Sequence, residues 1–278
     1  MNYRHVFHAG NFADVVKHVV LARVLVRMTT KAKPLRYLET HAGIGLYDLD
    51  HPDALRTGEA RAGVERVLAA PALPAVLAPW VDAVRALNLD GPLRRYPGSP
   101  ALAATLLRPD DRLVLAELHE EAVATLRRTM AGDDRVAVHH MDGWIATKAH
   151  LPPRERRGLV LVDPPFEAPD EFERMVRTLV QGHRRFPQGV FVLWYPIKER
   201  PAVWRFHEAV VATGIRDVLM AEATIWPEDT HRRLNGCGLL VVNPPHGLAG
   251  DLDAALPAVH AALATGHGGT RIATLVPE

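Results

Sequence analysis

Apolar residues fall along the chain in short, nearly unbroken runs set between longer stretches of mixed spacing. Val136–His140 reads as a strand, and Leu35–Glu39, Arg112–Glu117, Gly158–Asp163 and Gly189–Trp194 are runs of this kind. Each is too short for a helix and lacks the apolar/polar alternation of a half-exposed strand, so the pattern predicts strands covered on both faces in a parallel sheet. The intervening segments carry helical spacing over Asp14–Met28, Glu120–Met130, Asp170–Arg185 and Ala202–Thr213. Asp14 is placed to cap the first of these, whose apolar positions are interrupted by Lys17, Arg23 and Arg27. Two further strands are expected at Asp217–Thr224 and Gly238–Val242. The polar segment between them is too short for a crossover helix, which makes the pair antiparallel.

Strand and helix alternation closed by an antiparallel strand is the layout of an α/β, Rossmann-like class I S-adenosylmethionine-dependent methyltransferase fold. Residues 46–111 separate the first glycine turn from the second strand, far more than one βαβ unit needs. Within them, residues 50–93 are rich in Ala, Leu, Val and Arg at helical spacing and punctuated by prolines. The expected organisation is therefore a Rossmann-like domain over 1–49 and 94–278, with a small helical insert subdomain over 50–93. No repeat or low-complexity tract interrupts it.

Composition narrows the chemistry. Of 278 residues, 48% are hydrophobic and 23% charged, with 33 Lys+Arg against 32 Asp+Glu, so a folded chain is expected and net charge predicts no polyanion partner. The single cysteine, Cys237, excludes a disulfide framework, a thiolate zinc site and a cysteine-ligated cluster. It lies between two glycines, which also argues against the nucleophilic thiolate of a pyrimidine C5 methyltransferase. Fifteen histidines suggest a metal, yet neither a His-Glu-x-x-His nor a His/carboxylate triad stands at ligand spacing, so none is assigned. With no bilayer-length apolar stretch and no secretory leader pattern, a cytoplasmic protein without a membrane is expected.

The sharpest motif is Asp163-Pro164-Pro165-Phe166 at the carboxyl end of the third strand, where open α/β sheets place their ligand crevice. An exocyclic base amine is a poor nucleophile because its lone pair is delocalised into the ring. The Asp163 carboxylate and the Pro164 carbonyl can accept its two hydrogens, the prolines stiffen the turn, and Phe166 offers a face for the base. Asn243-Pro244-Pro245-His246 matches the pattern loosely, but follows the antiparallel strand and lacks the aromatic, so a structural role is expected. His41-Ala42-Gly43-Ile44-Gly45 forms a glycine turn after the first strand, and Glu117 ends the next, placed to accept from ribose hydroxyls. A third dinucleotide-type glycine is missing, since Tyr47 and Asp48 stand in its place. Asp142-Gly143 follows Val136–His140, positioned to meet the cofactor's adenine edge, with a simple turn as the competing reading.

Beyond these motifs, Tyr3-Arg4-His5, Phe7-His8-Ala9-Gly10-Asn11, Lys17-His18, Thr40-His41-Ala42-Gly43, Arg56-Thr57-Gly58-Glu59, Tyr96-Pro97-Gly98-Ser99-Pro100, Glu117-Leu118-His119, Arg157-Gly158 and Trp194-Tyr195-Pro196 resemble, in order and from end to end, the RlmJ family of bacterial 23S ribosomal RNA adenine-N6 methyltransferases. The resemblance implies S-adenosyl-L-methionine as cofactor, S-adenosyl-L-homocysteine as product and 23S ribosomal RNA as partner. It implies that His18, His41, Gly43, Ser99, Glu117, Asp142, Gly143 and Asp163 line the cofactor site, with Lys17 the basic residue beside it. Asp163 is then the catalytic residue, and Tyr3 takes part in substrate engagement. Family members often carry Tyr where this chain has Phe166, which keeps the stacking face and loses a hydroxyl. Read on their own, His18 and His41 are equally ordinary core or helix-end histidines, and Ser99 is a candidate N-cap for a helix beginning near Pro100.

RNA contact is expected from local cations: Arg4, Lys31, Lys33, Arg94, Arg95, Arg154, Arg156, Arg157, Lys198, Arg200, Arg232 and Arg233. Among these, Arg232 and Arg233 near Trp226, together with the loop from Tyr195 to Lys198, are the groups expected to flank an extruded adenine. A DNA adenine-N6 methyltransferase and a cofactor-holding nucleic-acid-binding protein without transferase activity are the alternatives. With no heptad seam, the chain is expected to work as a monomer.

Overall fold

The computed structural model describes residues 5–89, 91–228, 230, 233–263 and 265–278. Ten strands form: β1 (Arg36–Glu39), β2 (Leu46–Asp48), β3 (Arg95–Pro97), β4 (Arg112–Glu117), β5 (Val136–His140), β6 (Gly158–Val162), β7 (Val190–Ile197), β8 (Val218–Thr224), β9 (Gly236–Val242) and β10 (Gly269–Val276). Eight of them make one sheet in the order β10-β8-β9-β7-β6-β1-β4-β5. The ladders β4–β5, β1–β4, β1–β6 and β6–β7 are parallel, whereas β9 runs antiparallel to both β7 and β8, as the short connection required. The edge strand β10, antiparallel to β8, and the helix before it carry no signal that the apolar pattern singled out.

The helices are α1 (Phe12–Thr29), α2 (Pro52–Thr57), α3 (Glu59–Ala62), α4 (Val64–Leu68), α5 (Ala78–Ala86), α6 (Ser99–Leu106), α7 (Glu120–Thr129), α8 (Gly143–His150), α9 (Glu171–Arg185), α10 (Arg200–Ala212) and α11 (Leu248–Leu263). They cover both faces of the sheet, which is why its inner strands are apolar throughout. α1 is buried over most of its length and packs on α6, α5 and α11. Arg23 and Arg27 both reach Asp251 of α11, at 2.6 Å and 2.7 Å, so the charges that interrupt its apolar pattern clasp the neighbouring helix.

Two caps differ from expectation. The N-cap of α1 is Asn11, whose Oδ1 accepts from the Asp14 amide at 2.9 Å, which leaves the Asp14 carboxylate to accept from the Gly10 amide. The N-cap of α6 is Gly98, and Ser99 occupies the first helical position with its hydroxyl turned to Glu39.

Helices α2 to α5 lie between the two strands of a small antiparallel ribbon that pairs Leu46 with Pro97 and Asp48 with Arg95. The chain therefore leaves and re-enters at one point, and the crossover from β1 to β4 is undisturbed. Val64, Val67, Trp80 and Val84 of this segment belong to the same apolar cluster as α1.

Candidate active site

The strand order reverses at β1, between β4 on one side and β6 on the other, and the crevice of an open α/β sheet lies at such a point. The parallel strands β1, β4, β5 and β6 all end on this edge, so the turns they feed bring His41 and Gly43, Glu117, Asp142 and Asp163 together. His41 reports the convergence: burial pushes its imidazole down to about 4, against the opposing charges of Asp163, Glu117 and Asp142. It is a neutral ring, with Nδ1 2.8 Å from the Thr40 hydroxyl and its face 4.9 Å from Trp144.

Asp163 stands one residue beyond β6. Its Oδ2 accepts from Lys17 Nζ at 2.7 Å, and Lys17 also meets Asp14 Oδ1 at 2.9 Å. Burial pulls the Lys17 ammonium down, but the charges of Asp14 and Asp163 overcome this and hold it well above the usual lysine range. Asp163 Oδ1 carries no hydrogen bond to a described residue. Phe166 sits at φ 52°, a left-handed conformation that costs an aromatic residue on the order of 1–3 kcal/mol and is held here by packing. Its ring stands edge-on to Phe172 at 4.9 Å and to Trp194 at 5.8 Å.

The remaining turns are fixed by backbone contacts. Gly43, at φ 61°, donates its amide to Glu117 Oε2 at 2.9 Å, and Glu117 Oε1 accepts from the Leu118 and His119 amides. Asp142 caps α8 by accepting from the Trp144 amide at 3.0 Å, the structural turn role that its sequence position allowed. A Cβ on Gly143 would lie 2.0 Å from the Thr40 carbonyl oxygen, which shows how closely the β5–α8 turn sits against the β1 turn.

Two expected cofactor residues lie deeper than the crevice lip. His18 is buried with Nδ1 2.9 Å from the Tyr96 hydroxyl. Ser99 donates to the fully buried Glu39, whose other oxygen accepts from Tyr37 at 2.8 Å. Burial pushes the Glu39 carboxyl up to about 8, against the lowering effect of these two hydroxyls. Glu39 is thus an acid whose charged form is disfavoured by burial, close to the Lys17–Asp163 pair, and nothing in its one-dimensional context beyond a strand-end position marks it.

Tyr195 is the expectation that the structure overturns. It is fully buried, with its hydroxyl bonded to Glu222 at 3.0 Å and to His207 at 3.0 Å, so it is not on the crevice wall. Successive residues of a strand point to opposite faces, and it is the preceding Trp194 that meets Phe166 and lies 6.0 Å from Lys17 Nζ. Lys198 and Arg233 are exposed, as expected of cations that meet a polyanion, and Arg233 stacks over Trp226 at 5.2 Å. Tyr3, Arg4 and Arg232 lie outside the described residues.

Asn235 was not foreseen. Fully buried, it donates from Nδ2 to the carbonyls of Lys198 and Thr230, and accepts from Arg233 at 2.8 Å. It ties the end of β7 to the loop carrying Trp226 and Arg233; an isolated Asn before a strand gives no such signal. The Asn243-Pro244-Pro245 look-alike ends β9 on the opposite edge of the sheet, where Asn243 braces the carbonyls of Pro187 and Gly189, a structural role as expected.

Among the described residues no group of three or more His, Cys, Asp or Glu could hold a metal ion, and no helix is long and apolar enough to cross a membrane. Residues 32–276 match the family described as "Ribosomal RNA large subunit methyltransferase D, RlmJ". Over the whole length of both chains, the protein is 40% identical to Ribosomal RNA large subunit methyltransferase J of Escherichia coli and 39% identical to that of Haemophilus influenzae. A crystal structure of a Legionella pneumophila protein superposes with a TM-score of 0.90 at 32% identity, covering 96% of this chain and 98% of that one. A probable spermidine synthase of Corynebacterium glutamicum shares the fold alone, with a TM-score of 0.51 at 14% identity over 95% of this chain and 75% of that one. The α/β Rossmann-like architecture and the full-length match together make this chain a member of the RlmJ family of ribosomal RNA large subunit methyltransferases.

Proposed function

We propose that the protein methylates the exocyclic N6 amine of a single adenine in 23S ribosomal RNA, using S-adenosyl-L-methionine and leaving S-adenosylhomocysteine. The observation that carries this reading is the Asp163-Pro164-Pro165-Phe166 turn, held by the buried Lys17 ammonium at the switch point of the sheet.

The residues present suit the cofactor. Asp14 and Asp163 flank the one ammonium, Lys17, while Asp163, Glu117 and Asp142 converge on His41, so four carboxylates share one lysine and the crevice has an excess of negative charge. Such a field favours a cationic sulfonium and opposes the pyrophosphate of a dinucleotide. His41, Gly43, Glu117, Asp142 and Gly143 would hold the nucleoside portion, with His18 and Ser99 behind it. When bound, S-adenosylmethionine supplies an electrophilic methyl group.

The protein's own contribution is orientation. Asp163 Oδ1 accepts one amine hydrogen and the Pro164 carbonyl the other, which turns the nitrogen lone pair out of the ring plane without prior deprotonation. Held in this way by Asp163 and the Pro164 carbonyl, the nitrogen would be presented to the methyl group that the bound cofactor would supply, and its surplus proton would pass to water. Phe166 and Trp194 offer apolar surface to the extruded base, and Lys198 and Arg233 lie on the same sheet edge for the RNA backbone.

The test is transfer of labelled methyl from S-adenosylmethionine to protein-free 23S rRNA and, separately, to duplex DNA. Label is expected in adenine of the RNA and not in DNA; transfer to DNA at a comparable rate would overturn the RNA assignment. The cofactor site has its own check. Gly143→Ala forces the Thr40 carbonyl and the His41 turn to move, so cofactor affinity should fall at least about tenfold by calorimetry, with overpacking costing roughly 1–3 kcal/mol of stability. Unchanged affinity would remove this turn from the site.

A further inference from the structure

On the same edge of the sheet as Asp163, but at its far side, the beginning of α10 and the paired ends of β8 and β10 line an open groove of about 370 Å³. Trp204 and Arg271 line it, with Thr224 and Thr270 beside them and Arg200 and Glu222 at its wall. The site described above uses none of Trp204, Arg271 or Thr270.

The chemistry of this groove is selective. Trp204 is 57% exposed, an unusual fate for so large an apolar ring, and offers a face to solvent. Arg271 is exposed and makes no ion pair with a described residue, although it stands opposite Glu222 in the β8–β10 register. The reason is that Glu222 is already satisfied. It is 3% exposed, accepts from Tyr195, and is bound by Arg200 Nη1 at 2.7 Å, while Arg200 also grips Glu228. The acid at the wall is therefore neutralised from within, and the cation that faces solvent is Arg271. A flat apolar ring beside an unpaired guanidinium is complementary to an aromatic base attached to a phosphate.

Position points the same way. The groove is three to four strand spacings from β6, or about 14–19 Å. Between the two lie Lys198, just past the end of β7, and the Trp226–Arg233 pair on the loop between β8 and β9, which Asn235 ties to Lys198, so a single strand leaving the crevice along this edge would meet further cations and an indole.

We infer that the Trp204–Arg271 groove is a second nucleotide subsite, which stacks an unpaired base of the substrate RNA flanking the methylated adenine. This rests on the RNA reading above.

The experiment measures binding of a fluorescein-labelled single-stranded fragment of 23S rRNA to the intact protein without turnover, alongside methyl transfer to full 23S rRNA. Trp204→Ala is expected to weaken binding by roughly 5- to 150-fold, the range of one lost base stack. Trp204→Phe should recover most of it and Trp204→Leu little, because a ring face and not mere apolarity is needed. Arg271→Ala should lower the slope of log affinity against log salt by about 0.7, one phosphate contact on a single strand. In transfer assays KM for RNA should rise while kcat and cofactor affinity stay within twofold. Wild-type affinity in Trp204→Ala, equal affinity for Phe and Leu, or a changed oligomeric state in place of changed RNA binding would each overturn the subsite. If the wild type methylates rRNA and these variants bind normally, the groove fails and the function stands. If the wild type methylates only DNA while Trp204→Ala still loses RNA affinity, the function fails and the groove remains a base-stacking surface but not a subsite for the methylated RNA.

Discussion

Asp163→Ala should reduce methyl transfer to rRNA by about a thousandfold at saturating cofactor, with the protein still folded. The size follows from what the carboxylate does. Removing one preorganised hydrogen-bonding partner of a developing charge costs about 10²–10³ in rate, and here the same group also meets the Lys17 ammonium. Asp163→Asn keeps one neutral acceptor and should retain more activity, at roughly a hundredth of wild type. Folding survives in both because Lys17 remains paired with Asp14 at 2.9 Å. Single-turnover transfer, with cofactor binding measured separately, is the check. An Ala variant within tenfold of wild type would mean that the turn does not orient the amine.

Lys17→Met should be the more damaging change for the fold. Lys17 is 6% exposed and lies between two carboxylates, so its loss leaves Asp14 and Asp163 close together with no counter-charge. Breaking a buried pair by deleting one partner costs about 3–5 kcal/mol. For a chain of this size that is a fall in Tm of roughly 6–20 °C. Adding Asp14→Asn should restore much of the stability, since the amide oxygen can still accept from Gly10, while activity stays low because Asp163 has lost its positioning cation. Thermal unfolding of the single and double variants separates the two roles. If the double variant is no more stable than Lys17→Met, the stabilising role assigned to charge neutralisation is wrong.

Much of this architecture is written in local patterns. Covered strands need apolar residues on both faces, and the bounds of β4 coincide with the apolar run Arg112–Glu117; the edge strand β5 also keeps its expected bounds, Val136–His140, but is only partly covered. The Asp-Pro-Pro-Phe turn is legible because its chemistry resides in four consecutive residues. The Asp14 and Ser99 caps were misplaced by a few residues because several short polar side chains compete at each helix start, and only the backbone path selects Asn11 and Gly98. Tyr195 was misassigned for a sharper reason. Trp194 and Tyr195 are neighbours in a strand buried on both faces, so composition does not distinguish the side that meets the crevice from the side that meets His207 and Glu222.

Local sequence suffices for the parallel sheet, its antiparallel closure and the acidic turn, since each is set by period, connection length or adjacent residues. Only the packed fold places Lys17 between Asp14 and Asp163, buries Glu39 near them so that its charged form is disfavoured, and locks the cationic loop to the end of β7 through Asn235. Those contacts join residues as much as 146 positions apart, and their energetics depend on burial and partner distance, which no local spacing encodes.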